Sequence, residues 1–263
     1  MQTRSLLLLA ATAAGCSSPA RGAAAPWKRP VLVELYTSQG CSSCPPADAF
    51  VRQLAALGLG PDKVVPLTFH VDYWDRLGWK DPFASGAFTE RQEWYAHSGK
   101  LRSPDGASGL DGLYTPQMIV DGAVQFSGQR RQTAVHEIEA AAARAPVFDL
   151  AVRTVVKGST VDVTVQSTPV GEAGRERDWR LLAALAAKKA HTAVAHGENA
   201  GETLEEAAVV RALSDRIAMP TGHGSTRIQL SKPGDLAWSD VEVIVFAQSE
   251  TTREIGAVRV TLP

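Results

Sequence analysis

Two hydrophobic periods divide the chain. Val31 to Tyr36 is a short, mostly apolar, β-rich run ended by Thr37-Ser38-Gln39-Gly40, and it predicts an interior strand feeding a turn. Ala47, Phe50, Val51, Leu54 and Leu57 then recur at helical spacing up to Gly58, which predicts a helix beginning near Cys41 and Cys44. Pro45 and Pro46 fit only the first turn of that helix, where backbone N–H groups have no intrahelical partner. Further on, the pattern predicts a strand from Val64 to Val71 and a helix from about Ser85 to His97. A hairpin around Asp121-Gly122 and a helix from about Arg130 to Arg144 follow. The predicted order is strand, helix, strand, helix, hairpin, helix.

From Pro146 the period becomes two. Phe148, Leu150 and Val152 alternate with polar or small residues, as do Val161, Val163 and Val165 after the Lys157-Gly158-Ser159 turn, so half-buried strands are expected. Trp179 to Leu185, Thr226 to Leu230, Val241 to Ala247 and Ile255 to Leu262 are further candidates, at intervals that suggest a sandwich. The alanine-rich stretch from Leu181 to Ala190 reads equally as helix or strand. These patterns predict an α/β domain over residues 28–145, a mixed sheet with flanking helices, followed by an all-β sandwich-like domain over 146–263.

Composition narrows the function classes. The 263 residues carry 27 Lys plus Arg against 28 Asp plus Glu, so there is no basic field for nucleic acid, and no nucleic-acid partner is expected. With 44% hydrophobic and 21% charged residues, the chain is an ordinary folded protein. Leu6 to Gly15, after Arg4, is about half of the roughly 20 residues needed to cross a bilayer and reads as the core of a signal peptide within residues 1–25. Ala13-Ala14-Gly15-Cys16-Ser17 resembles a lipobox, with Ala13 where Leu is usual, so lipidation at Cys16 and ordinary cleavage between Ala20 and Ala25 both stay open. No later segment is long enough to form a transmembrane helix. Either leader reading exports the chain to the periplasm or cell envelope, an oxidising setting, and leaves Cys41 and Cys44 as the one cysteine pair.

Cys41-Ser42-Ser43-Cys44 sits where a strand-to-helix turn can bring the two sulfurs together. The positive end of a helix and its free N–H groups stabilise a thiolate, so the Cys41 pKa is expected below the free value of about 8.5, toward roughly 3.5–7.5. Such a thiolate attacks a partner's disulfide, and Cys44 then resolves the mixed disulfide. A four-residue loop constrains little chain entropy, a weak reason to place a permanent staple there.

A Cys-x-x-Cys that follows a strand, opens a helix and is joined by a later Thr-Pro before another strand resembles thioredoxin-like proteins. That resemblance implies that Pro116 is a cis-proline packed against the disulfide and that the Thr115 backbone pairs with an extended substrate. Ser42-Ser43 replaces the Gly-Pro of thioredoxins, and Pro45-Pro46 follows the second cysteine, so the direction of electron flow does not carry over. At finer grain, Glu34 to Asp48, His70 to Asp81, and Tyr114-Thr115-Pro116-Gln117-Met118 resemble domain-of-unknown-function family 1223, with similarity continuing through Gly197 to Gly201, Thr203-Leu204 and Val209 to Arg211. The resemblance implies an exported bacterial protein with a thioredoxin-like domain, and no substrate.

Several other residues carry weaker signals. Glu34, on the strand before the motif, could accept the Cys44 proton if burial raised its pKa, or could be a partly exposed strand residue or a member of an ion pair. The aromatic-acidic loop with Asp72, Tyr73, Trp74, Asp75, Trp79, Asp81 and Phe83 follows the second strand, where ligands of α/β sheets bind. Tyr73 and Trp74, with Gln117, are therefore candidate substrate contacts, although the aromatics could simply cover the sheet. Cys41, Cys44 and His70 could supply three ligands to copper or zinc, while a lone strand histidine is more often a hydrogen-bonded core residue. Glu198, Asn199 and Arg211 either mark a binding surface or tie a loop to the second half. No Gly-x-Ser-x-Gly, phosphate-loop or His-Glu-x-x-His motif is present.

The resulting expectation is an exported protein thiol–disulfide oxidoreductase with a protein thiol or disulfide partner and no organic cofactor. A copper or zinc delivery protein and a non-catalytic envelope module with a structural disulfide are the alternatives.

Overall fold

The computed structural model describes residues 27–104 and 112–263; the leader expected within residues 1–25, with Cys16, lies outside the described residues. Elements run in the order β1 (Val31–Thr37), α1 (Pro45–Gln53), β2 (Val64–His70), α2 (Gly86–Ala96), β3 (Gln117–Val120), β4 (Val124–Ser127) and α3 (Arg131–Ala142). The second half adds β5 (Phe148–Lys157), β6 (Thr160–Pro169), β7 (Trp179–Ala193) and β8 (Thr203–Leu213). It closes with β9 (Ile217–Ala218), β10 (Gly224–Ser231), β11 (Val241–Ser249) and β12 (Ile255–Thr261). Among the described residues no helix is long and apolar enough to cross a membrane.

The fold class predicted from sequence, a thioredoxin-like α/β domain with flanking helices followed by an all-β sandwich-like domain, is corrected by the topology. The protein is mostly β, with three α-helices among the described residues and one nine-stranded mixed sheet in the order β12-β11-β7-β8-β2-β1-β3-β4, β9 pairing with β7. That sheet contains strands from both halves of the chain. The join is made by β8, which runs parallel to β2 at Thr68 and Val209, while the Thr68 hydroxyl donates to the Ala207 carbonyl at 2.8 Å.

Sequence periodicity missed this join for a physical reason. β8 does not alternate cleanly: Ala208 has a φ of 54° and the ladder to β7 shifts register between Leu185 and Ala186. The alanine-rich stretch is strand. β7 pairs with β11 on one side and with β8 and β9 on the other, and from Leu181 to Ala187 it is buried on both faces, which erases the period-two signal there.

Three apolar layers follow from strand alternation. Val31, Val33 and Leu35 of β1 face α1 and α3, packing on Phe50, Val51 and Ile138. Leu32 and Tyr36 face the other way, onto Phe69, Phe88 and Tyr95, and share that core with Leu182, Ala184 and Phe246 from the second half. Leu181, Ala183 and Leu185 of β7 point away from α2, toward a separate antiparallel sheet in the order β10-β6-β5. Fully burying one large apolar side chain contributes about 1.5–3 kcal/mol, so a core drawn from both halves couples them strongly.

Candidate functional site

β1 and β2 are parallel and in register from Val31 and Val64 to Thr37 and His70, so the turns after both leave the sheet at the same end. The first turn is held by its own backbone: the Cys41 N–H donates to Ser38 O and the Cys44 N–H to Cys41 O, each at 3.1 Å. Cys44 is the N-cap of α1, and Pro45 and Pro46 occupy the first turn, as their missing N–H groups permit. Cys41 and Cys44 form a disulfide, and both residues are wholly buried, whereas Ser42 and Ser43 between them are exposed.

A loop from the other half of the chain holds this turn. The β7–β8 connection, residues 194–202, is closed by backbone hydrogen bonds from Val194 N–H to Glu202 O and from Gly201 N–H to Val194 O. At its tip the Asn199 side-chain amide donates to Gln39 O at 2.9 Å and to Cys41 O at 3.0 Å. The neighbouring Glu198 carboxylate accepts the Ser42 N–H at 2.9 Å. Gly197, with a φ of 80°, approaches Trp79 so closely that a Cβ there would lie 3.0 Å from the Trp79 Cβ. From the opposite side the Gln129 amide donates to Ser43 O at 2.7 Å. Sequence alone left Glu198 and Asn199 between a binding surface and a structural tie; they touch the cysteine turn itself. Arg211, by contrast, pairs with Asp235 at 2.9 Å and lies over the Phe83 ring.

Under the turn lies a group of buried ionisable side chains. His70 Nδ1 is 2.7 Å from Asp81 Oδ2, and the same oxygen accepts the Gln39 N–H at 2.8 Å. The Gln39 side chain accepts from Trp79 Nε1 and donates to Thr192 and to both Glu206 oxygens. His70 Nε2 faces Glu206 at 3.9 Å and makes no hydrogen bond. Burial alone would lower the His70 pKa, but the Asp81 carboxylate, with Glu206 and Asp48 behind it, pushes it up to about 9. Burial raises Glu206 as well, while His70 and backbone donors overcome burial to hold Asp81 low.

Asp48 completes this group. It lies one helical turn after Cys44, accepts the Thr37 hydroxyl at 3.2 Å, and leaves Oδ1 without a partner. Burial, reinforced by the Glu206 and Asp81 carboxylates against the opposing pull of His70, raises its pKa to about 7. Sequence reading passed over Asp48. Its signal was an acid four residues after Cys44, embedded among the buried Ala47, Phe50 and Val51.

The remaining predicted residues divide. The Thr115–Pro116 peptide is cis. Pro116 lies close to the start of α1, since a Cβ on Gly128 would meet Ala47 Cβ at 2.9 Å and Pro116 Cβ at 3.2 Å. Thr115 stands just outside β3, whose ladder with β1 begins at Gln117 opposite Tyr36. Trp74 packs on Gly40, its Cβ 3.4 Å from where a Gly40 Cβ would sit. Tyr73 is half-buried, and burial pushes its phenol up to about 12. Gln117 is buried in an amide chain, accepting from Gln92 and donating to Gln125.

Glu34 is not brought to the cysteines. It points to the α2 face of β1, where Arg91 Nε at 2.7 Å, Tyr95 Oη at 2.5 Å and Tyr36 Oη at 3.3 Å all donate to it. For the metal-ligand set Cys41, Cys44 and His70, the cysteines are joined to each other and His70 Nδ1 is engaged by Asp81. Among the described residues no group of three or more His, Cys, Asp or Glu is arranged to hold a metal.

The family model described as protein of unknown function (DUF1223) matches residues 32–248. None of the curated proteins matches the chain. Two solved structures share its fold over nearly the whole length. A crystal structure of an Agrobacterium tumefaciens protein has a TM-score of 0.62 at 23% identity, covering 88% of this chain and 93% of its own. HBP35 of Porphyromonas gingivalis has a TM-score of 0.62 at 12% identity, covering 90% of this chain and 76% of its own. At these identities the likeness is one of fold.

Proposed function

The chain belongs to the DUF1223 family, and from that premise we propose that it is an exported thiol–disulfide oxidoreductase acting through Cys41 and Cys44. One observation carries the reading: the disulfide caps a helix, and a buried acid with a pKa raised to about 7, Asp48, lies one turn beyond it. The leader core Leu6 to Gly15 supports export to the periplasm or envelope.

In the reduced protein the Cys41 thiolate attacks one sulfur of a partner's disulfide. A Cys41–partner bond forms, the partner's S–S bond breaks, and one partner thiolate leaves. Cys44 gives its proton to Asp48 and attacks Cys41, restoring the Cys41–Cys44 bond and releasing the second partner thiolate. Two electrons pass from the pair to the partner, and the reverse sequence oxidises a partner dithiol. Near neutral pH an acid with a pKa of about 7 both takes and returns that proton. Glu34, compensated by Arg91, has no part in the transfer. Thr115, outside the β3 ladder, offers backbone to an extended partner strand, for which Tyr73 and Trp74 are candidate contacts.

The test is trapping. Cys44→Ser protein, mixed with two short peptides joined by one disulfide, accumulates a covalent adduct of protein plus one peptide and releases the other as a thiol, and Cys41→Ser protein accumulates no adduct. Adducts in neither variant would overturn the proposal. A specific observation favours a second reading, a structural disulfide in a non-catalytic envelope module: both half-cystines are wholly buried and the turn is held from two sides. Absence of adducts is what that reading predicts.

A further inference from the structure

Helix N-termini that activate cysteines do so with free N–H donors, and this one has few. Pro45 and Pro46 contribute none, and the Cys44 N–H is committed to Cys41 O. The Ser42 N–H, adjacent to Cys41, is taken by Glu198 at 2.9 Å. That carboxylate arrives from the β7–β8 loop in a fixed position, because its neighbour Asn199 is buried and anchored on the Gln39 and Cys41 carbonyls.

We infer that Glu198 is a positioning residue that holds the Cys41–Cys44 pair toward its oxidised form. Its negative charge disfavours the Cys41 thiolate, and its hydrogen bond to the N–H of the adjoining Ser42 holds that charge in place. This rests on the redox reading above and assigns it a direction: the reduced pair is a good electron donor, because Glu198 disfavours the thiolate that disulfide formation consumes, against the Ser43 hydroxyl 3.3 Å from the Cys41 sulfur. The Ser42 backbone and hydroxyl hold the Glu198 carboxyl below its ordinary range, so the charge is present at neutral pH. Because Glu198 is exposed, salt screens the effect.

The experiment equilibrates the full exported chain with glutathione and its disulfide, one protein disulfide plus two glutathiones giving one dithiol plus one glutathione disulfide. Glu198→Gln keeps a hydrogen-bond acceptor for Ser42 and removes the charge. It is expected to shift the equilibrium about fivefold toward the dithiol in low salt, and to raise the Cys41 alkylation rate at pH 7 by a similar factor. Both shifts should shrink in 1 M salt, where the screening length is about 3 Å. Glu172→Gln, which removes an equal charge from an exposed site after β6, is expected to change neither.

Equal behaviour of Glu198→Gln and the wild type would overturn the inference. So would a shift seen only in Glu198→Ala, which would assign the effect to the hydrogen bond alone, or a shift unaffected by salt. A wild-type pair that cannot be reduced by glutathione at any ratio is a different outcome, and it overturns the oxidoreductase reading itself.

Discussion

Glu34 and Asp48 are both acids inside the protein, one on each side of the same strand–helix unit, and their surroundings treat them in opposite ways. Glu34 is fully compensated: Arg91 pairs with it, Tyr36 and Tyr95 donate to it, and Arg91 goes on to Gln248 of β11 at 3.0 Å. That network ties α2 to the second half of the chain. Asp48 has one hydroxyl partner and an unpaired oxygen, with His70 the cation that pulls against its burial. A compensated acid fixes structure; an acid left short of partners keeps its proton to near neutrality and can exchange it. The face with Glu34 is thereby structural, and the proposed chemistry belongs to the face with Asp48, on the helix that Cys44 caps.

The comparison is broken most sharply at Arg91. Arg91→Ala strands the Glu34 carboxylate in the core and is expected to cost about 3–5 kcal/mol, read as a loss of unfolding free energy in urea. A cost below about 1 kcal/mol would show Glu34 to be no more bound to its surroundings than Asp48.

Asp48→Asn is expected to leave the fold as stable at pH 8 as the wild type, or more so. The folded-state pKa of about 7 lies above the ordinary 3.8, so the contribution of Asp48 is full below 3.8 and is lost as pH rises through 7. The same substitution is expected to slow resolution of the Cys41 mixed disulfide about a hundredfold at pH 7, measured by stopped-flow release of the second thiol. An unchanged rate would remove Asp48 from the chemistry.

A smaller effect comes from His70. Its folded-state pKa of about 9 exceeds the ordinary 6.5, so the folded protein keeps a proton that the unfolded chain gives up. The stability this supplies is complete below pH 6.5 and gone once pH has risen through 9. Melting temperature should decline across that window, and Asp81→Asn, which removes the partner at 2.7 Å, should flatten the decline. A rise in melting temperature over the same window would contradict the assignment.

Much of the first half was legible because its signals are local. The apolar run of β1, the helical spacing after Cys44 and the Asp121-Gly122 turn each specify an element from neighbouring residues. The overall fold was not, because it depends on β8, a strand with an irregular ladder whose pairing with β2 rests on Thr68 and Val209, distant in sequence. The site divides in the same way. Cys41, Cys44 and the Thr115-Pro116 pair stand out as a motif. Strand parity sends Glu34 to the α2 face, while Asp48 follows Cys44 by one turn of α1. Glu198 and Asn199 reach the turn from more than 150 residues away, a proximity only the folded chain reveals.

The central claim, that Cys41–Cys44 is a working redox pair, is tested most directly by its reduction potential, read by mass after alkylation in defined thiol–disulfide buffers. The account predicts a value of about −200 to −270 mV, among the exchange proteins that donate electrons. A value below about −300 mV would place the pair with structural disulfides and contradict it.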